Sequence, residues 1–124
     1  MKNVIIRKFS GNFGSIDKLD AWFFESFSSR LRGLMFKKNI ALHQAGIFIN
    51  KRENIVDSAI HMLFMNFDIA VFWLDKSNTI VDKRIAKKWG LIYYPVVKSQ
   101  KILETHSEIY DKLLIGEKII IENL

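Results

Sequence analysis

The run IHMLFMNFDIAVFWLD at residues 60–75 constrains this chain more than any other stretch. It is nearly all apolar, yet it carries His61, Asn66, Asp68 and Asp75. A membrane helix needs about 20 mostly apolar residues. This run is shorter and is interrupted by polar groups, so a transmembrane span is rejected. It reads instead as two strands, 58–64 and 69–74, bending at Asn66-Phe67-Asp68. In the first strand His61 shares a face with Leu63 and Met65, while Ile60, Met62 and Phe64 line the other. Both faces are apolar, so the strand is expected to be covered on both sides. A histidine there needs a hydrogen-bond partner or a pocket.

Turn signals divide the rest into short elements. Residues 2–9 read as a strand ending at Ser10-Gly11-Asn12, and 18–24 alternate as a second strand. Ser26 suits a helix N-cap, Phe27, Leu31, Leu34 and Met35 follow at helical spacing, and Lys37-Lys38 suit the helix C-terminus. Gly33 weakens that helix by about 1 kcal/mol relative to alanine. Residues 46–50 form a short strand and Lys51-Arg52-Glu53-Asn54 a charged connection. Asp75-Lys76-Ser77-Asn78 is a turn, with strands at 79–86, 91–97 and 100–105 beyond it. Ser107 is placed as the cap of a second short helix, with Glu108 and Asp111 in its first turn. Gly116 stops it before a last strand at 117–121. Many short strands with two small helices argue for a mainly β, β-rich α+β fold, an antiparallel β-sandwich or small barrel. The 124 residues, 49% hydrophobic and 26% charged, fit one folded domain over 1–124 with no linker or repeat.

The chain has no cysteine, which excludes disulfides and thiolate metal sites. The apolar run Val4-Ile5-Ile6 is shorter than a signal-peptide core of about 7–15 residues, so a cytoplasmic location is expected. The net charge of +6 invites an anionic partner. The cations are spread, however, with local groups only at Lys37-Lys38, Lys51-Arg52 and Lys83-Arg84 with Lys87-Lys88. A lysine-rich solvated surface is the simpler reading.

No phosphate loop, G-x-S-x-G or H-E-x-x-H motif is present. His43, His61 and His106 lack metal-ligand spacing, and neither a metal nor a cofactor is expected. His61 is either a satisfied core histidine or a pocket residue able to titrate near neutral pH. Asp68 is either a turn former or a pocket carboxylate. Glu104 alternates with Leu103, and if Leu103 faces the core, Glu104 most simply faces solvent. Arg30 and Arg32 flank Leu31 and are either solvated or available as a bidentate fork for a carboxylate. Trp22, Trp73 and Trp89 read as core or rim aromatics, not as a stacking platform for bases.

Four of these segments resemble, in order and spacing, the domain of unknown function 192 family. R-L-R-G-L-M at 30–35 is similar to its R-x-x-G-L-M stretch. The run at 60–75 is similar to its second signature, in the variant where histidine follows an aliphatic residue. K-I-L-E at 101–104 is similar to its V-L-E strand, and L-L-I-G-E-K-I at 113–119 to its ending, where Gly is usually followed by Asp. The agreement runs from about residue 21 to the C-terminus. The resemblance implies a compact β-rich, jelly-roll-like or barrel-like domain with short helices and no established activity. Members often follow a secretion signal. By motif position Arg30, Gly33, Leu34, Met35, His61, Met65 and Glu104 match signature residues. Where the family runs Pro-Ile-Asp-Val, this chain has Asp68-Ile69-Ala70-Val71. Two residues along a strand return to the same face, roughly 6–7 Å away, so Asp68 is a candidate substitute for the carboxylate absent at Ala70.

The expected function is a module binding a small ligand or a protein partner. Its groove is walled by residues 30–35 and 61–68, with Arg30, Arg32, Met35, His61, Met65, Asp68 and Glu104 as candidate contacts. One alternative is an enzyme with His61 as general acid/base, Asp68 or Glu104 orienting it and Arg30 holding an anion. Nucleic-acid binding through 83–88 is the less favoured alternative, and self-association through strand edges stays open.

Overall fold

A computed structural model describes residues 2–24, 37–62, 65–90 and 92–123. Its strands, in chain order, are β1 (Lys2–Lys8), β2 (Leu19–Phe24), β3 (Gln44–Asn54), β4 (Ile60–His61), β5 (Ile69–Leu74), β6 (Ile80–Ala86), β7 (Ile92–Tyr93), β8 (Ser99–His106) and β9 (Ile119–Glu122). Two 3-10 helices, Val56–Ser58 and Ser107–Lys112, join them. The helix expected from Ser26 lies outside the described residues.

All six residues of β5 are buried, because cores lie on both faces of the sheet it sits in. Ala70, Phe72 and Leu74 point to one core with Val4, Ile6, Leu19, Ile47, Leu103 and Ile119. Ile69, Val71 and Trp73 point to the other with Phe24, Met62, Met65 and Ile102. This two-sided burial is why the strand reads as a continuous apolar run.

Seven strands form one sheet in the order β6-β5-β8-β3-β2-β1-β9, curled into a half-barrel. Its edges meet at one end. Thr79 bridges Lys118, Ile80 N–H donates to the Glu117 carbonyl at 2.9 Å, and Ile119 N–H donates to the Asn78 carbonyl at 3.1 Å. Ile109 and Leu113, from and just after the second 3-10 helix, pack into the core inside the curl. The outer face carries the small β4–β7 sheet, through Ile60 and Tyr93.

Several expectations change. One curled sheet replaces the two packed sheets of an antiparallel sandwich, and it is mixed, because β2 and β3 run parallel. A parallel pair needs a long crossover, here the stretch 25–43. Lys51-Arg52-Glu53-Asn54 is not a loop. β3 continues through it with a register shift between Ile49 and Asn54, held by contacts that local sequence does not announce. Lys76 N–H donates to Glu53 Oε2 at 3.0 Å, and Gln100 Nε2 approaches the Lys51 carbonyl at 3.4 Å. Of the strand expected at 58–64, Ser58 ends a 3-10 helix and β4 covers Ile60–His61, while Leu63 and Phe64 lie outside the described residues. Of the strand expected at 91–97, the described residues are in a strand at Ile92–Tyr93, and Leu91 lies outside them.

Candidate functional site

β8 brings the candidate polar residues to one rim. Leu103 faces the inner core, so Ile102, Glu104 and His106 share the outer face. Glu104 is fully buried, not solvent-facing as alternation with Leu103 suggested. Alternation assigns Glu104 the opposite face, but that face is covered too. Its register neighbours are Val71 on β5 and Gly46 on β3, and Trp22 lies beyond Gly46 on β2.

His106, at the end of β8, stands beside Ile69 and opens on a cleft of about 370 Å³. Asn39, Ile40, Asn66, Phe67, Asp68, Lys88, His106 and Ser107 line it. Ile40 and Phe67 belong to or pack on the outer core and supply an apolar floor. The polar rim is held by backbone contacts. Asp68 Oδ1 accepts from Lys88 N–H at 2.8 Å, and Lys87 Nζ lies 3.5 Å from Oδ2. Asn66 Nδ2 donates to the Lys37 carbonyl at 3.0 Å, and Lys37 Nζ stacks 4.4 Å over the Trp22 ring.

His106 Nδ1 accepts from Glu108 N–H at 3.0 Å. His106 is therefore the N-cap of the 3-10 helix, where Ser107 was expected. With Nδ1 committed as an acceptor, Nε2 carries the proton of the neutral ring.

The sequence candidates are dispersed differently from the expectation. Asp68 lines the cleft. Ala70 is fully buried in the inner core, while Asp68 lies just before β5, where it accepts from Lys88 N–H and faces Lys87. Met65 is fully buried in the outer core. His61 is half-buried on β4 opposite Ile92 and is not among the residues lining this cleft. Arg30, Arg32 and Met35 lie outside the described residues. The sequence around His106 carries no motif that marks it, and Asp68 and Lys88, which line the cleft with it, stand on connections far away in the chain. Among the described residues, no group of three or more His, Asp or Glu side chains is arranged to hold a metal ion.

Fold and site together define a small, mainly β domain with a polar cleft at one rim of a curled sheet. The model of the DUF192 family, described as "Uncharacterized ACR", matches residues 10–121, and the chain belongs to that family. It is 44% identical over 80 residues to a UPF0127 protein of Thermococcus kodakarensis, covering 64% of this chain and 49% of that protein. A UPF0127 protein of Pyrococcus furiosus is 29% identical over 98 residues, covering 79% of this chain and 81% of that protein. The chain spans about half the length of the first Thermococcus relatives it matches. Among solved structures, a Sinorhizobium meliloti protein provisionally described as a transcription regulator superposes with a TM-score of 0.83 at 15% identity, covering 97% of this chain and 94% of that one. A protein of unknown function from Novosphingobium aromaticivorans gives 0.75 at 11% identity, covering 95% and 83%. These two likenesses concern the fold alone. No helix among the described residues is long and apolar enough to cross a membrane.

Proposed function

We propose that this domain is a binding module whose cleft at Asp68 and His106 takes a small polar ligand with an apolar edge. The supporting observation is the fixed polar rim over an apolar floor: Asp68 is clamped by Lys88 N–H, His106 is oriented by Glu108 N–H, and Ile40 and Phe67 lie beneath. A volume of about 370 Å³ suits a small molecule. Arg30, Arg32 and Met35, which lie outside the described residues, remain proposed contacts.

The test is an amide chemical-shift titration with glucose, inorganic phosphate and adenosine monophosphate as probes. At least one probe is expected to shift Asn66, Asp68, Lys88 and Ser107 together, and Asp68→Ala is expected to weaken that response about tenfold. Shifts scattered over the surface, or none with any probe, would sink the proposal. The enzymatic alternative predicts instead that the His61 ring, not the His106 ring, changes its titration when a probe binds. Nucleic-acid binding draws less support, since Lys37, Lys83 and Arg84 are each folded onto an aromatic ring of the chain itself.

A further inference from the structure

Among the described residues, the segment that covers the outer core has exposed apolar side chains on its own outer side. Ile92–Tyr93 is a strand, Tyr94 and Pro95 are irregular, Val96 enters a bend, and burial alternates along them. Tyr93 and Pro95 turn inward, while Ile92, Tyr94 and Val96 turn out, with Val96 74% exposed. Trp89, just before, is 53% exposed in a left-handed backbone conformation at φ 59°. This turn is held from within. Trp89 N–H donates to the Met62 carbonyl at 3.1 Å, Gly90 N–H to the Lys87 carbonyl at 3.0 Å, and Lys87 N–H to the Tyr93 hydroxyl at 3.1 Å. Further along, Val96 N–H is pinned to Asp82 Oδ2 at 2.9 Å. The apolar side chains are therefore presented by an anchored strap.

The charges around this strap are predominantly positive. Arg84, Lys87, Lys88 and Lys98 are exposed along its margins. The two nearby carboxylates are already committed, Asp68 to Lys87 and Lys88, and Asp82 to backbone amides while itself buried. An apolar patch with tryptophan, tyrosine and branched aliphatics, rimmed by lysine, has two natural occupants, a protein or a lipid surface. The positive margin complements an anionic lipid surface: at a bilayer interface aromatic residues sit at the headgroup level and lysines reach anionic headgroups.

We propose that the chain docks peripherally on anionic lipid bilayers through the strap, with Ile92, Tyr94 and Val96 entering the headgroup region. Lys88 and Lys98 face the acidic headgroups. This goes beyond the cleft reading and stands without it.

The experiment is co-sedimentation of the whole chain with vesicles of phosphatidylcholine containing 30% phosphatidylserine, alongside pure phosphatidylcholine. Binding is expected with the anionic vesicles, with little on the neutral ones and a steep loss in 0.5 M salt. Lys98→Gln should reduce partitioning by about fivefold, the value of one basic residue near an anionic leaflet. Tyr94→Ser with Val96→Ser should reduce it by at least tenfold while the amide spectrum of the rest of the fold is unchanged. No sedimentation above the neutral control overturns the proposal. So does equal binding by the folded double variant, or concentration-dependent dimerisation abolished by that variant in a chain that ignores lipid.

Discussion

Glu117 shows how one side chain ties several elements. Its Oε2 lies 2.8 Å from Lys8 Nζ on β1, and Oε1 accepts from Leu114 N–H at 2.8 Å. Burial alone would raise its pKa. The hydrogen bonds from Lys8 and Leu114 and the positive charges of Lys8 and Lys83 outweigh that and hold the carboxyl below its ordinary range. A carboxyl depressed in the folded state stabilises it above the unfolded pKa and loses that contribution as pH falls through the lower folded value. Urea unfolding between pH 6 and pH 3 should therefore show Glu117→Gln less stable by ~0.5–1 kcal/mol at the upper end, with the gap closing at the lower end. A constant gap would mean the carboxylate charge is not responsible. The pKa of Lys101 is also lowered, but there burial outweighs the partners and disfavours the charged form. Burial lowers its pKa against the pull of Asp75 and Glu53, and its ammonium is held by the Lys76 carbonyl at 3.1 Å. Neither partnership has a sequence signal, since Glu117 and Lys8 are at opposite ends of the chain.

Among the elements, the strand β5 was the most legible. Its unbroken apolar run fixes a strand buried on both faces, and the boundaries 69–74 agree with the structure. The turn at Asp75–Asn78 was legible for a different reason: Asp75 Oδ1 accepts from both Ser77 and Thr79 N–H, the local bonding that makes aspartate a turn residue. Ser58 was not legible. It reads as the start of a strand, but its carbonyl accepts the Trp73 indole N–H at 2.7 Å, and its hydroxyl lies within hydrogen-bond distance of the Asn54 and Ser99 carbonyls. Removing the indole donor leaves a buried carbonyl without it and a partly empty site. Trp73→Phe should destabilise the domain by about 3 kcal/mol in denaturant unfolding. A loss below about 1 kcal/mol would show that the indole bond contributes little.

At the scale of the whole molecule, the curled sheet depends on the short closure between residues 78–80 and 116–119. Asn78 sits there at φ 65°, a left-handed position that asparagine tolerates better than alanine. Asn78→Ala should cost about 1 kcal/mol. In hydrogen exchange, the amides of Ile80, Gly116 and Ile119 should lose protection together, because all three bond across the closure. The amides of β5 and β8 should remain the slowest. If they accelerate as much as the closure does, the sheet opens as one unit and the closure is not a separate step.

The residue pattern by itself determined the mainly β class, the family, the absence of a membrane-crossing helix in the 60–75 run and the strand at 69–74. It could do so because burial on both faces and turn chemistry are written into adjacent residues. The tertiary structure alone decided that β2 and β3 run parallel, that the charged residues 51–54 extend a strand, that Glu104 is buried and that His106 joins Asp68 at the cleft. Each of those depends on strands far apart in the chain. A side chain's surroundings there are set by its neighbours across the sheet, and these leave no mark in the local sequence.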